Sequence, residues 1–244
     1  MSLLEFVLNH SHQRAPKGIV YGPPGVGKTH FGAETDKPIL IDCENGAAYV
    51  TCDRTPYLTD WESIKLWLDM LAHDEHPYQT AVVDSIDWLL RRLEERVAGV
   101  SAGKNMDNTL NRSHGGYGNG KLVLRNYVYQ YLLPTLDAIV NRGISVVLLA
   151  HASRRSMTSL EGITIEKSAP EIHPDLMNTM IEWSDFVGAA QIEGDVRTLT
   201  LTETNQVLAK NRYGIKHKIA LRWDAFTAEM NTTHPSVNGD LNHG

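Results

Sequence analysis

The residues with the clearest chemical potential form one glycine-rich stretch, Gly22-Pro23-Pro24-Gly25-Val26-Gly27-Lys28-Thr29. It fits the phosphate-loop (Walker A) pattern of two spaced glycines followed by Lys and Thr. Glycines let the backbone curl so that successive N–H groups point at phosphate oxygens. Lys28 would reach the β- and γ-phosphates, and the Thr29 hydroxyl would bind Mg²⁺. The stretch from Gly22 to His30 is therefore predicted to bind ATP, with an ordinary glycine-rich turn as the alternative.

The elements around this stretch must hold it at the edge of a sheet. Residues 18–21 (GIVY) have the pattern of a short buried strand that leads into the loop. Residues 29–34 have the pattern of the helix that leaves it, whose dipole would add positive charge near the phosphates.

Three further side chains follow predicted buried strands. Asp84 ends one strand, Glu44 follows another, and His151 follows a third. In a parallel sheet, ligands bind beyond the carboxyl ends of the strands, so these side chains are expected to converge with the phosphate loop. Asp84 is predicted to hold Mg²⁺, although an Asp at this place could also cap the next helix. Glu44 could instead be a solvated loop acid, and His151 a polar residue that ends a strand.

Composition limits the class of protein. The chain has 244 residues, of which 42% are hydrophobic and 21% are charged, as in an ordinary globular protein. No apolar run approaches the roughly 20 residues that span a bilayer, and the N-terminus does not resemble a signal peptide. The two cysteines, Cys43 and Cys52, fit a reduced cytoplasmic protein. The net charge of −6 argues against binding duplex DNA through a broad basic surface, but it leaves room for a local basic channel.

The order of the predicted elements indicates an α/β fold. Strands and helices alternate first and strands dominate later, which predicts a mainly parallel sheet with helices on both faces and an antiparallel edge. We expect an N-terminal helix and linker at 1–17, one ATPase core at 18–230 and a flexible tail at 231–244. Two long polar stretches, 99–120 and 152–173, are predicted to be loops, and a long helix over 122–140 is expected to kink at Pro134.

The motifs GPPGVGKT, ILIDCENG, AVVDSIDWL, VVLLAH and LAKNRYG resemble the RecA-type ATPase core over roughly residues 16–223. Within that group the chain looks most like core-only phage ATPases, the fourth Sak group of single-strand annealing and recombination proteins. The resemblance implies that Glu44 orients the attacking water and that Asp84 belongs to the magnesium motif. It implies that His151, where relatives usually have Gln, senses the γ-phosphate. It also implies that Lys210 and Arg212 reach a neighbouring subunit's nucleotide.

The same resemblance implies two DNA-facing loops, which by position are the two polar stretches. Their basic groups would neutralise phosphates and a tyrosine could stack on a base, although two solvated surface loops would have the same composition. The implied partners are single-stranded DNA, further copies of the chain in a ring or filament, and a single-strand-binding protein, with no membrane. The predicted DNA-binding residues are Lys104, Arg112, Tyr117, Lys121, Arg154, Arg155 and Lys167.

The leading function is thus an ATP-dependent, single-stranded-DNA-binding recombinase or annealing protein in the cytoplasm, which would be the host cytoplasm for a phage protein. The alternatives are a helicase-like motor, a small-molecule kinase with Arg154 and Arg155 as its lid, and an ATP-gated binding module. For Lys210 and Arg212, which are two residues apart on a predicted strand and share a face, the alternative is a solvated basic pair that protects a sheet edge.

Overall fold

The computed structural model describes residues 14–233 apart from 101–104, 106, 159–161 and 163. Within these residues ten strands form one mixed sheet with helices on both faces. The strands are β1 (Lys17–Gly22), β2 (Pro38–Asp42), β3 (Asp53–Arg54), β4 (Thr80–Asp84), β5 (Ser145–Thr158), β6 (Thr164–Pro170), β7 (Phe186–Glu193), β8 (Val196–Thr200), β9 (Lys210–Asn211) and β10 (Ile219–Ala220). The helices are α1 (Lys28–Ala33), α2 (Trp61–His73), α3 (Ile86–Ala98), α4 (Asn119–Tyr127), α5 (Leu133–Asn141), α6 (Pro174–Trp183) and α7 (Trp223–Thr233).

The sheet has a parallel centre and an antiparallel edge. Its strand order is β10-β8-β7-β1-β5-β4-β2-β3, with β6 paired to β5 and β9 paired to β7. The pairs among β7, β1, β5, β4, β2 and β3 are parallel, whereas β8, β9 and β10 join antiparallel. The predicted α/β fold, a mainly parallel sheet with helices on both faces and an antiparallel edge, is confirmed.

Alternation along the central strands divides the interior into two cores. Ile19 and Tyr21 of β1 face the core built with α2 to α6, and Val20 faces the core built with α1 and α7. This happens because successive side chains of a strand point to opposite faces. Both faces of β1 are therefore covered, which fits a strand that is buried along its whole length.

The long helix after the first polar stretch is irregular at the predicted place. It runs through α4, a π-helical turn at Val128–Leu132, and α5. Pro134 lies just after the π turn, and its ring nitrogen has no hydrogen to donate to the preceding turn. The change of hydrogen-bonding pattern before Pro134 is the expected response to that missing donor.

The second polar stretch is not a loop, and this prediction was wrong. β5 continues past the central sheet, and its segment Ala152–Thr158 pairs antiparallel with β6, from Pro170 back to Thr164. We name this extension the ribbon. A two-stranded ribbon with polar residues on both faces lacks the apolar alternation that marks a strand in a sequence, so its backbone ladder was not visible there.

Some expectations concern residues at the limits of the described chain. Residues 1–13 of the predicted N-terminal helix and linker, and also Lys104, lie outside the described residues. α7 extends to Thr233, three residues into the segment predicted as a flexible tail. No helix in the described ranges is both long and apolar enough to cross a membrane.

Candidate nucleotide-binding site

The phosphate loop connects β1 to α1 at the carboxyl edge of the sheet. Val26 is fully buried in the core that α1 and α7 cover, so its side chain anchors the loop to that core. The Nζ of Lys28 donates to the backbone carbonyl oxygens of Gly22, at 3.0 Å, and Pro23, at 3.2 Å. Lys28 is 8% exposed, and burial lowers its pKa, although Asp84 and other acids oppose that shift. The ammonium is thus held inside the curve of the loop.

Three glycines of the loop meet separate backbone requirements. Gly25 and Gly27 have φ of 78° and 106°, values that residues with a Cβ rarely adopt. At Gly22 a Cβ would lie 2.6 Å from the carbonyl oxygen of Ala190 on β7. The loop therefore keeps its curvature and its close fit against β7 only with glycine at these positions.

A hydroxyl and a carboxylate meet beside the loop. The Oγ1 of Thr29 donates to the Oδ2 of Asp84 at 2.8 Å. Ser85, and not Asp84, is the residue that precedes the first turn of α3, so Asp84 is not the N-cap of that helix. Burial raises the pKa of Asp84 to about 6, and the hydrogen bond from Thr29 and the charge of Lys28 oppose that rise.

These two side chains fit a magnesium ion. Mg²⁺ prefers oxygen ligands and usually keeps several waters and phosphate oxygens in addition to one or two protein groups. Among the described residues no group of three or more His, Cys, Asp or Glu could hold a metal alone. A threonine hydroxyl and a buried carboxylate 2.8 Å apart are the donor set expected of a site that the nucleotide completes.

The segment after β2 is fixed by Asp42. The Oδ1 of this buried carboxylate accepts the backbone N–H of Glu44, at 3.2 Å, and of Asn45, at 2.7 Å. The backbone N–H of Cys43 donates to the carbonyl of Asp84 at 2.7 Å. Glu44 is thereby placed beside β4 by its own turn rather than by the packing of its side chain.

His151 links Glu44 to α3. It lies opposite Gly22 in the sheet, and its Nε2 is 3.3 Å from Oε1 of Glu44. The Oδ2 of Asp87 lies 2.9 Å from Nδ1 of His151, and Oδ1 accepts the backbone N–H of His151 at 3.1 Å. Because a carboxylate can only accept, Nδ1 carries the proton in this arrangement.

The two acids raise the pKa of the imidazole. Burial lowers the pKa of His151, but the hydrogen bond and charge of Asp87 and the charge of Glu44 outweigh it, so the pKa is raised overall. A protonated His151 would donate from both nitrogens, one to each acid. Gly22, Glu44, Asp84 and His151, which were predicted to converge, therefore come together at the carboxyl edge of the sheet. We name this edge the rim, and Asp87 is an additional member of it.

A family model described as an AAA domain matches residues 14–213. The chain belongs to this AAA domain family. The family implies hydrolysis of a nucleoside triphosphate, and P-loop ATPases generally use ATP and Mg²⁺. Among curated proteins, none matches the chain in sequence. Solved structures that are similar to it include the crystal structure of the RadB recombinase, with 13% identity, a TM-score of 0.43, and coverage of 87% of this chain and 90% of that chain.

The predicted basic pair, Lys210 and Arg212, lies near the start of β7, at the end of the sheet opposite the phosphate loop. β9 ends at Asn211, so Arg212 follows the strand instead of belonging to it, contrary to the prediction. The Nζ of Lys210 donates to the carbonyls of Ile181, Glu182 and Ser184 at 2.7–3.1 Å, where α6 ends.

Arg212 is held from the same direction. Its guanidinium is 3.1 Å from the carboxylate of Asp185, which is 5% exposed and also pairs with Arg14 at 2.6 Å. Lys210 and Arg212, which were predicted to reach a neighbouring subunit's nucleotide, thus both have partners inside their own chain. Arg212 remains 53% exposed, whereas Lys210 is committed to the end of α6.

The ribbon separates the predicted DNA-binding residues of the second stretch. Arg154 is 88% exposed, with Glu166 3.9 Å away. Arg155 points to the other face of the strand and donates to the carbonyl of Ile172 at 2.8 Å. Lys167 is 13% exposed and pairs with Glu203 at 2.6 Å. Of these three, only Arg154 presents a largely free charge to solvent.

The first stretch brings other predicted residues together. Tyr117 is fully exposed and lines a cavity of about 600 Å³ with Lys121 and Arg125. Arg112 lies in the preceding turn and donates to the carbonyl of Asp107 at 3.4 Å.

Sequence reasoning missed Asp87, Arg125 and Arg197, a residue of β8 that packs against the phosphate loop. Asp87 lies in the first turn of α3, directly after β4, but nothing in the sequence shows that it faces His151.

We predict that Asp87→Asn lowers the pKa of His151, because the amide removes the nearest negative charge. The measurement is an NMR titration of the imidazole, with Glu44→Gln expected to give a smaller decrease. A raised pKa in the folded state contributes stability below the ordinary histidine pKa and loses it as the pH rises through the folded-state value. The stability difference between the wild type and Asp87→Asn should therefore narrow as the pH rises through the wild-type value. An unchanged pKa of His151 in Asp87→Asn would contradict this assignment.

We predict that Lys210→Met lowers the free energy of unfolding by about 1–3 kcal/mol, because three carbonyls at the end of α6 lose a charged donor. Urea denaturation of the full chain measures this change. A variant as stable as the wild type but without ATP turnover would contradict the structural role and favour the predicted contact with a neighbouring subunit.

Proposed function

We propose that this AAA domain is a DNA-dependent ATPase of the phage recombinase or annealing type, which binds single-stranded DNA and hydrolyses ATP at the rim of its sheet. The observation that carries the proposal is the continuity of β5. The strand passes from His151, beside the phosphate loop, into the ribbon that carries Arg154.

The chemistry of the rim suits phosphoryl transfer to water. Lys28 would neutralise charge on the β- and γ-phosphates, and Thr29 and Asp84 would hold Mg²⁺, which would supply further positive charge to the phosphates. Glu44 orients the attacking water and accepts its proton, the part of a general base. His151 lies within reach of Glu44, and its imidazole N–H donors suit a sensor of the γ-phosphate.

The proposed DNA surface combines Arg154 on the ribbon with Tyr117, just before α4, and with Lys121 and Arg125 on α4. Lys121 is partly exposed, and Asp175 lies 4.0 Å from it. Exposed basic side chains suit the phosphates of a single strand, and an exposed tyrosine ring suits stacking on a base. The net charge of −6 favours such a local surface over one that covers the molecule.

A shared cavity supports coupling between the two activities. A space of about 620 Å³ is lined by Glu44, Asp87 and His151 at the rim and by Arg155 and His173 near the base of the ribbon. A strand bound on the ribbon would therefore act on side chains that also border the catalytic acid. Assembly into a ring or filament belongs to the same proposal, since Arg212 is exposed enough to reach another chain.

The ribbon disfavours a small-molecule kinase. A kinase lid must close over its substrate, but Arg154 and Arg155 belong to a regular antiparallel ladder. Arg155 is also bound to the carbonyl of Ile172. Both residues are thus parts of a paired strand, which offers less freedom to close than an unpaired loop.

We predict that Lys28→Ala abolishes ATP hydrolysis and weakens nucleotide binding, because the loop loses its charge on the phosphates. Glu44→Gln should still bind ATP but hydrolyse it about 10²-fold more slowly or worse, because an amide cannot accept the proton of water. ATP turnover is measured with and without single-stranded DNA, and Glu34→Gln, at an exposed acid after α1, is the matched control. Wild-type turnover that DNA does not stimulate would refute DNA dependence, and normal turnover in folded Lys28→Ala would refute the nucleotide site.

We predict that Arg154→Ala and Lys121→Ala each weaken single-strand binding and flatten its dependence on salt. Each lost phosphate contact should lower the slope of log K against log salt by roughly 0.7. The control is Arg222→Ala, an exposed arginine before α7 on the opposite face of the sheet from α4. Equal slopes in the wild type and both variants would place the DNA elsewhere.

A further inference from the structure

The hairpin of β7 and β8 stands directly beside the phosphate loop. β7 pairs in parallel with β1 up to Ala189, opposite Tyr21, and then continues to Glu193 beyond the end of β1. β8 returns antiparallel, with Arg197 opposite Ile192. The hairpin therefore forms a wall along one side of the loop.

One side chain of this wall touches the loop. A Cβ at Gly27 would come 3.3 Å from Cδ and 3.4 Å from Nε of Arg197, so the arginine side chain lies against the backbone just before Lys28. The alternation of the strands explains this direction. Arg197 shares its face with Leu199, which is buried in the same core as Val26 of the loop.

The charge of Arg197 has no protein partner in the described ranges, where its side chain makes no hydrogen bond or ion pair. The hairpin carries two acids: Glu193 is paired with Lys218, and no ion pair joins Asp195 to Arg197 in the described ranges. Two other arginines of this part of the fold, Arg212 and Arg222, each pair with an aspartate. Arg197 instead lies against the loop backbone at Gly27, and an anion held by the loop would supply the opposite charge that it lacks.

We propose that Arg197 binds the polyphosphate of the nucleotide held by the phosphate loop of its own chain. The inference rests on the proposed nucleotide site and adds a residue to it. Guanidinium groups suit this role because their planar array of N–H donors matches phosphate oxygens. The contact comes from the chain's own late hairpin, so it needs no neighbouring subunit and differs in that respect from the predicted role of Arg212.

The experiment measures ADP affinity of the full chain by calorimetry at low and high salt. Arg197→Met keeps most of the apolar stem over Gly27 and removes the charge, and it should bind ADP about tenfold more weakly at low salt, the loss expected for one charge-assisted hydrogen bond. The deficit should shrink at high salt because salt screens the lost charge. Arg197→Lys should recover part of the affinity.

Lys216→Met, which removes an exposed charge between β9 and β10, is the matched control and should bind ADP like the wild type. Wild-type affinity in Arg197→Met would overturn the inference, as would a loss that is the same at both salt concentrations. Loss of ADP binding in Lys28→Ala together with normal binding in Arg197→Met would reject Arg197 alone. A wild-type chain that binds no ADP would reject both the inference and the nucleotide site.

Discussion

The parallel register of the central strands is the constraint on which the site depends. Hydrogen bonding sets Gly22 opposite His151 and Asp84 opposite Asp42, so segments far apart in the chain end at one edge. A slip of one residue in any of these pairs would turn the strand's side chains to the opposite face. The two apolar cores exclude such slips, because each strand buries different residues on each face. The fold thus positions the chemistry by burying side chains that take no part in it.

Burial at the rim carries a free-energy cost for the charged side chains there. Lys28 and Asp84 are 8% and 4% exposed, and burial disfavours the charged form of each, which is why their pKa values move in opposite directions. The protein partners offset this cost only in part, since Lys28 is bound to neutral carbonyls and Asp84 to a hydroxyl. A polyphosphate and a divalent cation would bring the missing opposite charges, one to each side. The proposed site would therefore be most favourable with the nucleotide and the metal bound together.

The sequence predicted the parts of the molecule whose physics is local. The glycine spacing of the phosphate loop, the buried runs of β1, β2, β4 and β5, and the missing donor of Pro134 each act within a few residues. The ribbon could not be predicted in this way, because its stability comes from a ladder between two polar segments and not from an apolar pattern. Asp87 and Arg197 were missed for a related reason. The role of each depends on a contact with a residue distant in sequence: Asp87 contacts His151, and Arg197 lies against Gly27.

The ribbon also changes how the two ends of the proposed mechanism can communicate. A flexible loop would absorb a displacement at His151 within a few bond rotations, whereas a paired strand passes it along the ladder as one body. Asp87 strengthens this connection, because it holds both the imidazole and the backbone N–H at the point where β5 leaves the central sheet. Near the base of the ribbon, Arg155 ties it to the segment before α6 through Ile172. Movement of the ribbon is therefore constrained by contacts on both sides of the cavity that Glu44 borders, so DNA bound to the ribbon and ATP bound at the rim would act on the same mechanical unit.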